Sequence, residues 1–227
     1  MKDKAVILLS GGLDSAVTLF YAVKKGYDCY CLSFDYGQRH CAELEQARRI
    51  ANAAEAEFRL VKLDMSWGGS ALIDEAIGLP VGRSPEEIKR GGVPVTYVPA
   101  RNTVFLSIAA SFAEAIAADR IFIGAHFEDS SGYPDCRKEY LEAFNRVVET
   151  GTKRGIEGDL RLEFPLIDKS KSEIIRLGHS LGVPFQFTRS CYAGSEKPCM
   201  ECDSCVLRAK GFSEAGIADP LLDSILF

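Results

Sequence analysis

Ser10-Gly11-Gly12-Leu13-Asp14-Ser15 follows an apolar run and opens an apolar helical pattern. Glycines between a strand and a helix let backbone N–H groups approach a phosphate, and the helix behind them presents its positive end to the anion. Ser10 and Ser15 add hydroxyl donors. Asp14 can hold a nucleotide's magnesium or cap the helix. The lysine of the G-x-x-x-x-G-K-[ST] phosphate loop is absent. A bare strand-to-helix turn is the alternative.

A second constellation lies near the C-terminus. Cys191, Cys199, Cys202 and Cys205 form C-x7-C-x2-C-x2-C. Thiolates two residues apart aim both sulfurs at one tetrahedral ion, and four of them suit a closed structural zinc site. An iron–sulfur cluster competes, because C-x2-C-x2-C opens the bacterial ferredoxin run, but no C-x3-C-P completion follows Cys205. Cys29, Cys31, Cys41 and Cys136 are scattered. Cys29 and Cys31 share one strand face and read as core, and Cys136 reads as an inert thiol in the first turn of a helix.

The elements that must position these groups alternate. Apolar runs predict strands at 4–9, 28–34, 57–63, 120–125 and 160–164. Helical periodicity covers 14–25, stopped by Gly26, then 40–54, 102–118 with Asn102 as cap, 136–150 with Asp135 as cap, and 170–181. This order predicts an α/β fold with a doubly wound parallel sheet, Rossmann-like, whose ligands bind beyond the carboxyl ends of the strands. The connection 64–101 is long enough for a lid or binding loop and holds one short helix, with Ser84 as N-cap, Pro85 at N1 and Glu87 closing a capping box. From about residue 187 cysteines, glycines and short helical pieces take over. The chain divides accordingly into an α/β domain at 1–186 and a metal-stapled C-terminal region at 187–227.

The 227 residues are 47% hydrophobic and 26% charged, with a formal net charge of -5. The acidic balance argues against nucleic acid and anionic membranes as partners. No apolar run approaches the roughly 20 residues of a membrane span, and the N-terminal apolar run is too short for a signal peptide. The expectation is a soluble, cytoplasmic protein.

S-G-G-x-D-S on a first strand resembles the pyrophosphate loop (PP-loop) of the ATP pyrophosphatases, which include GMP synthetase, NAD synthetase, lysidine synthetase and tRNA thiolases. The resemblance implies cleavage of ATP between the α and β phosphates, with AMP placed on a substrate oxygen, so a lysine reaching the γ-phosphate is dispensable. It places ATP on Leu8, Leu9, Ser10, Gly11, Gly12, Leu13, Asp14, Ser15, Ala16, Val17 and Thr18. "FPLIDKSKSEIIRLG" at 164–178 is similar to a later segment of that superfamily, which sets Lys171 at a helix start near the phosphates. Together with "DYGQRH" at 35–40, "VPARN" at 98–102, "SGYPDCR" at 131–137 and the cysteines, residues 5 to about 212 resemble the 7-cyano-7-deazaguanine synthases of queuosine biosynthesis.

That resemblance implies a ligase. ATP with Mg2+ would adenylate 7-carboxy-7-deazaguanine, ammonia would displace AMP, and a second adenylation would turn the amide into the nitrile. It further implies Asp14, Ser15 and Lys171 as catalytic residues, one structural Zn2+ on the four cysteines, and a homodimer. Arg39 and Arg101 are candidate anion partners. Asp135 can accept from the base edge, and Tyr133 or Phe127 can stack on its face. His40 and His126 read as structural residues before acid–base ones. Two rivals remain at this point. A tRNA thiolase would need a persulfide cysteine or an iron–sulfur cluster and a basic surface. A zinc-knuckle module that senses nucleotide would not turn over.

Overall fold

Lys4–Leu8 (β1) is apolar on both faces and nearly fully buried, as the centre of a covered sheet requires. In the computed structural model, which describes residues 2–39, 42–126, 132–194 and 197–223, β1 is flanked by Asp28–Asp35 (β2) and Arg120–Phe122 (β4). Glu57–Lys62 (β3) and Arg161–Glu163 (β5) form the edges. All neighbours are parallel, in the order β3-β2-β1-β4-β5. The expected doubly wound sheet is present.

Alternation along β1 divides the core into two layers. Ala5, Ile7 and Leu9 pack with Leu13–Lys24 (α1), Ala42–Ala53 (α2) and Lys171–Ser180 (α7). Val6 and Leu8 face the opposite layer, built on Arg101–Ala115 (α4) and Lys138–Gly151 (α5). Pro85–Arg90 (α3) sits in the long connection with the Ser84–Glu87 capping box formed as expected. Lys153–Ile156 (α6) is a single turn leading to β5. Gly26, at φ +93°, ends α1 in the conformation glycine tolerates best.

Three local expectations are corrected. Asn102 does not cap α4, which begins at Arg101 after Ala100 in the left-handed region. The Asn102 N–H instead donates to Asp135 Oδ2 at 2.9 Å, so the cap arrives from 33 residues away. By the same token Asp135 does not cap α5. It lies in a 3-10 turn, Pro134–Cys136, and Arg137 occupies the N-cap position of α5. Finally, among its described residues the region after 186 contains one regular helix, Asp203–Ala215 (α8), closed by Gly216 at φ +70°, and a last turn at Pro220–Asp223 (α9).

This C-terminal segment is bolted to the α/β layers. The buried Arg208 guanidinium makes a double contact with Asp219, at 2.6 and 2.9 Å, and donates to the Thr188 hydroxyl at 2.7 Å and the Phe185 carbonyl at 3.2 Å. Gly211 lets α8 lie against Lys171, since a Cβ there would fall 2.4 Å from the lysine Cγ. His40 and Phe127 lie outside the described residues.

Candidate active site

The carboxyl end of β1 runs into a turn held by its own hydroxyls. Ser15 Oγ accepts from the Ser10 N–H at 3.2 Å and donates to the Gly12 carbonyl at 3.0 Å. Ser10 Oγ sits 3.1 Å from Ser15 Oγ and accepts from the Gly12 N–H at 3.2 Å. Gly11 is required twice over. Its φ is +86°, and a Cβ would lie 2.3 Å from the Glu43 carbonyl oxygen. Gly11→Ala should therefore cost roughly 1–3 kcal/mol in backbone strain alone and force α2 away from the turn. A melting temperature at the wild-type value would contradict this packing.

Asp14, in the first turn of α1, meets Lys171 at the first position of α7. Lys171 Nζ lies 2.9 Å from both carboxylate oxygens and 2.8 Å from His126 Nε2. Burial alone would raise the Asp14 pKa, but the Lys171 ammonium and His126 hold it below the usual carboxylate value. Gly124 makes room for the cluster, because a Cβ there would touch the Asp14 backbone at 3.0 Å. Two segments far apart in sequence thus converge on the turn, as the family segment at 164–178 implied. His126, read from sequence as structural before acid–base, sits in the same cluster.

These residues open onto a cavity of about 320 Å³. Leu8, Leu9, Ser10, Gly12, Leu13, Asp14 and Ser15 line it from the turn, and Lys171 from α7. Ala16, Val17 and Thr18 are fully buried inside α1 and do not border it. The opposite wall carries Phe105, stacked on Phe34 at 3.9 Å, together with Tyr133 and Arg101. Tyr133 is fixed by its hydroxyl, 2.8 Å from Thr96 Oγ1. The Arg101 guanidinium donates to the Tyr36 hydroxyl at 3.0 Å. Arg39 also lines the cavity and spends one nitrogen on the carbonyls of Asp74 and Ile77. Its Nε is buried without a partner among the described residues. Asp135 differs from the other candidates, since its carboxylate faces the start of α4 and not the cavity wall.

Two wall residues carried no signal in the sequence. Glu43 lies in the first turn of α2. Arg189 donates its N–H to the Gly11 carbonyl at 2.9 Å and has Nη1 buried without a partner among the described residues. Nothing in their spacing set them apart from ordinary surface charges.

The four clustered cysteines lie beyond the far rim, which Cys191 alone of them lines. Their sulfurs all lie within 4.8 Å of one another, against about 3.8 Å between sulfurs on a tetrahedral ion with Zn–S near 2.3 Å. Cys199 N–H donates to Cys191 Sγ, and Cys202 N–H to Cys199 Sγ, each at 3.3 Å. Sharing protons with its neighbours lowers Cys191 and pushes Cys202 up to about 11, with Cys205 raised as well. Four thiols this close cannot all ionise unaided, and a bound cation is what allows four thiolates. The set can hold a metal ion. It also anchors the long connection: Gly82 N–H donates to the Glu201 carbonyl at 3.0 Å, Val81 pairs with Cys202, and Arg83 forks onto Asp203.

Among the described residues no helix is long and apolar enough to cross a membrane. A solved structure of NMN synthetase from Francisella tularensis is similar in fold, with a TM-score of 0.51 at 16% identity, covering 99% of this chain and 77% of that one. The 7-cyano-7-deazaguanine synthase of Trichodesmium erythraeum (strain IMS101) is 53% identical over 96% of this chain and 100% of its own. The corresponding protein of Nostoc punctiforme (strain ATCC 29133 / PCC 73102) is 54% identical over 96% and 99%. That of Thermoplasma volcanium (strain ATCC 51530 / DSM 4299 / JCM 9571 / NBRC 15438 / GSS1) is 50% identical over 97% and 91%. A family profile described as queuosine biosynthesis protein QueC matches residues 4–216, and the chain belongs to that family.

Proposed function

We propose that this chain is an ATP-dependent ligase that converts 7-carboxy-7-deazaguanine and ammonia into 7-cyano-7-deazaguanine, releasing AMP and pyrophosphate twice. The observation that carries the reading is the Asp14–Lys171–His126 cluster, set against a serine-lined glycine turn at the mouth of a cavity. Full-length identity above 50% to named synthases supports it.

The turn at residues 8–15 receives the phosphates of ATP. Backbone N–H groups and the hydroxyls of Ser10 and Ser15 supply donors that need no rearrangement when charge builds on the departing pyrophosphate. Lys171 supplies a cation at the same point. Asp14 orients that lysine and is the carboxylate placed to share Mg2+ with the nucleotide, where the ion would offset phosphate charge. Ala16, Val17 and Thr18 support the turn from inside α1. The carboxylate or amide oxygen of the substrate attacks the α-phosphorus, and the acyl adenylate then meets ammonia.

Tyr133 offers a ring for the flat base. Arg101 and Arg39 stand ready for its carboxylate or for pyrophosphate, Arg39 with an unsatisfied Nε. Asp135 acts on the base indirectly, by fixing the start of α4 and hence Arg101. We assign Zn2+ to Cys191, Cys199, Cys202 and Cys205, where it would supply folding free energy to region 187–227 and hold the 64–101 connection over the cavity. The acidic chain fits small molecules and not nucleic acid, and a cytoplasmic homodimer completes the proposal. Exposed Trp67, Val93 and Val95 on the long connection offer apolar surface for a second copy.

Two adenylations at one turn give a sharp test. Synthetic 7-amido-7-deazaguanine with ATP and no ammonia should yield the nitrile, and ATP shortage should leave the amide. An amide that stays inert while the carboxylate is fully converted would overturn the scheme.

A further inference from the structure

Glu43 stands at the second position of α2, pressed against the glycine turn through its own carbonyl. Its side chain lines the cavity with Ser10 and Gly12. The carboxyl accepts one hydrogen bond, from Gln38 Nε2 at 3.3 Å, and carries no ion pair among the described residues. Arg101 from α4 and the Tyr36 hydroxyl from the loop after β2 are the charged and titratable groups that face it. Burial outweighs the Arg101 charge and the Gln38 bond, and pushes the carboxyl up to about 7. Asp14 is in the opposite condition, paired with Lys171 and held as a weak base. His126 Nε2 is taken up by Lys171.

The nitrogen chemistry of the proposed reaction needs a base with these properties. Ammonium has no lone pair to attack with, and the amide must shed both nitrogen protons to become a nitrile. We infer that Glu43 is the proton acceptor in both rounds, an inference that rests on the reading above. In the first round the carboxylate takes a proton from ammonium. The freed lone pair forms the C–N bond while the C–O bond to AMP breaks, and the second nitrogen proton leaves with AMP. In the second round the amide oxygen bonds to the α-phosphorus and pyrophosphate departs. Glu43 then takes one N–H proton, and the C–O bond to AMP breaks as the nitrile forms. The remaining proton leaves with AMP, and between rounds Glu43 returns its proton to water.

The step can be isolated from adenylation. Exchange of labelled pyrophosphate into ATP, driven by the carboxylate without ammonia, reports the adenylation reading alone. If wild-type protein shows no exchange, that reading falls, whatever Glu43 does. Conversion of the amide to nitrile with ATP alone reports the base. For Glu43→Gln the amide conversion should drop by about 10²–10⁴-fold in kcat, far more than exchange drops. Wild-type kcat should fall as pH drops through about 7, because the carboxyl becomes protonated, and the variant should lack that limb. Equal losses in both assays with the acid limb retained would make Glu43 a shaping residue and overturn the inference, as would wild-type conversion. Should Glu43→Gln not fold, Glu43→Asp serves instead. A displaced acid limb supports the inference, and a slower enzyme with the limb unmoved refutes it.

Discussion

Asp14→Asn should lower AMP formation by about 10²–10³-fold, the usual loss when one preorganised contact to developing charge is removed. Asparagine keeps the volume of the side chain but offers Lys171 no negative charge. The lysine, 13% exposed in its side chain, then loses the carboxylate that aims its ammonium at both oxygens from 2.9 Å. The proposed Mg2+ contact would be weakened in the same stroke. Alanine would confuse the result, because it also leaves a gap beside the ammonium where asparagine keeps the volume, and so destabilises the fold further. Steady-state AMP release, measured beside a melting curve, separates the two effects. Near-normal AMP release by folded Asp14→Asn would remove the pyrophosphate-loop assignment.

Cys202→Ser should remove bound zinc, about one per chain in the wild type, and lower the melting temperature on the order of 10 °C. The size follows from a metal contribution of several kcal/mol at about 2–4 °C per kcal/mol in a chain of this length. The damage should spread along a defined path. Cys202 pairs with Val81 and precedes Asp203, which holds Arg83, so the 64–101 connection loses its anchor. Whatever fraction stays folded should keep its turn and its Asp14–Lys171 pair, so stability should suffer more than chemistry. Elemental analysis and a thermal scan give the answer. Iron with sulfide, or metal-free protein with an unchanged melting temperature, would contradict the zinc assignment.

The layers of the fold were legible because they depend on local pattern. The apolar run of β1, the capping box at Ser84 and the stop at Gly26 all act within a few residues of themselves. What escaped was action at a distance. Asp135 looked like the cap of the helix beside it, yet Pro134 draws it into a 3-10 turn and it caps α4 instead. Asn102 looked like a cap for the converse reason. At the site, the serine–glycine turn, Lys171 and the four cysteines were visible from residue type and spacing or from resemblance. Glu43 and Arg189 were not, since their importance comes from being brought against Gly11 by the tertiary fold. The thiolase rival loses its ground to the family match over residues 4–216.

The central claim is that one turn adenylates two different oxygens on the way from a carboxylate to a nitrile. It is tested most directly by incubating the purified protein with ATP, ammonium and 7-carboxy-7-deazaguanine, and quantifying nitrile by mass spectrometry beside AMP. The account predicts 7-cyano-7-deazaguanine with two AMP formed for each nitrile. An end product that stops at the amide with one AMP, or a nitrile formed with ADP in place of AMP, would contradict it.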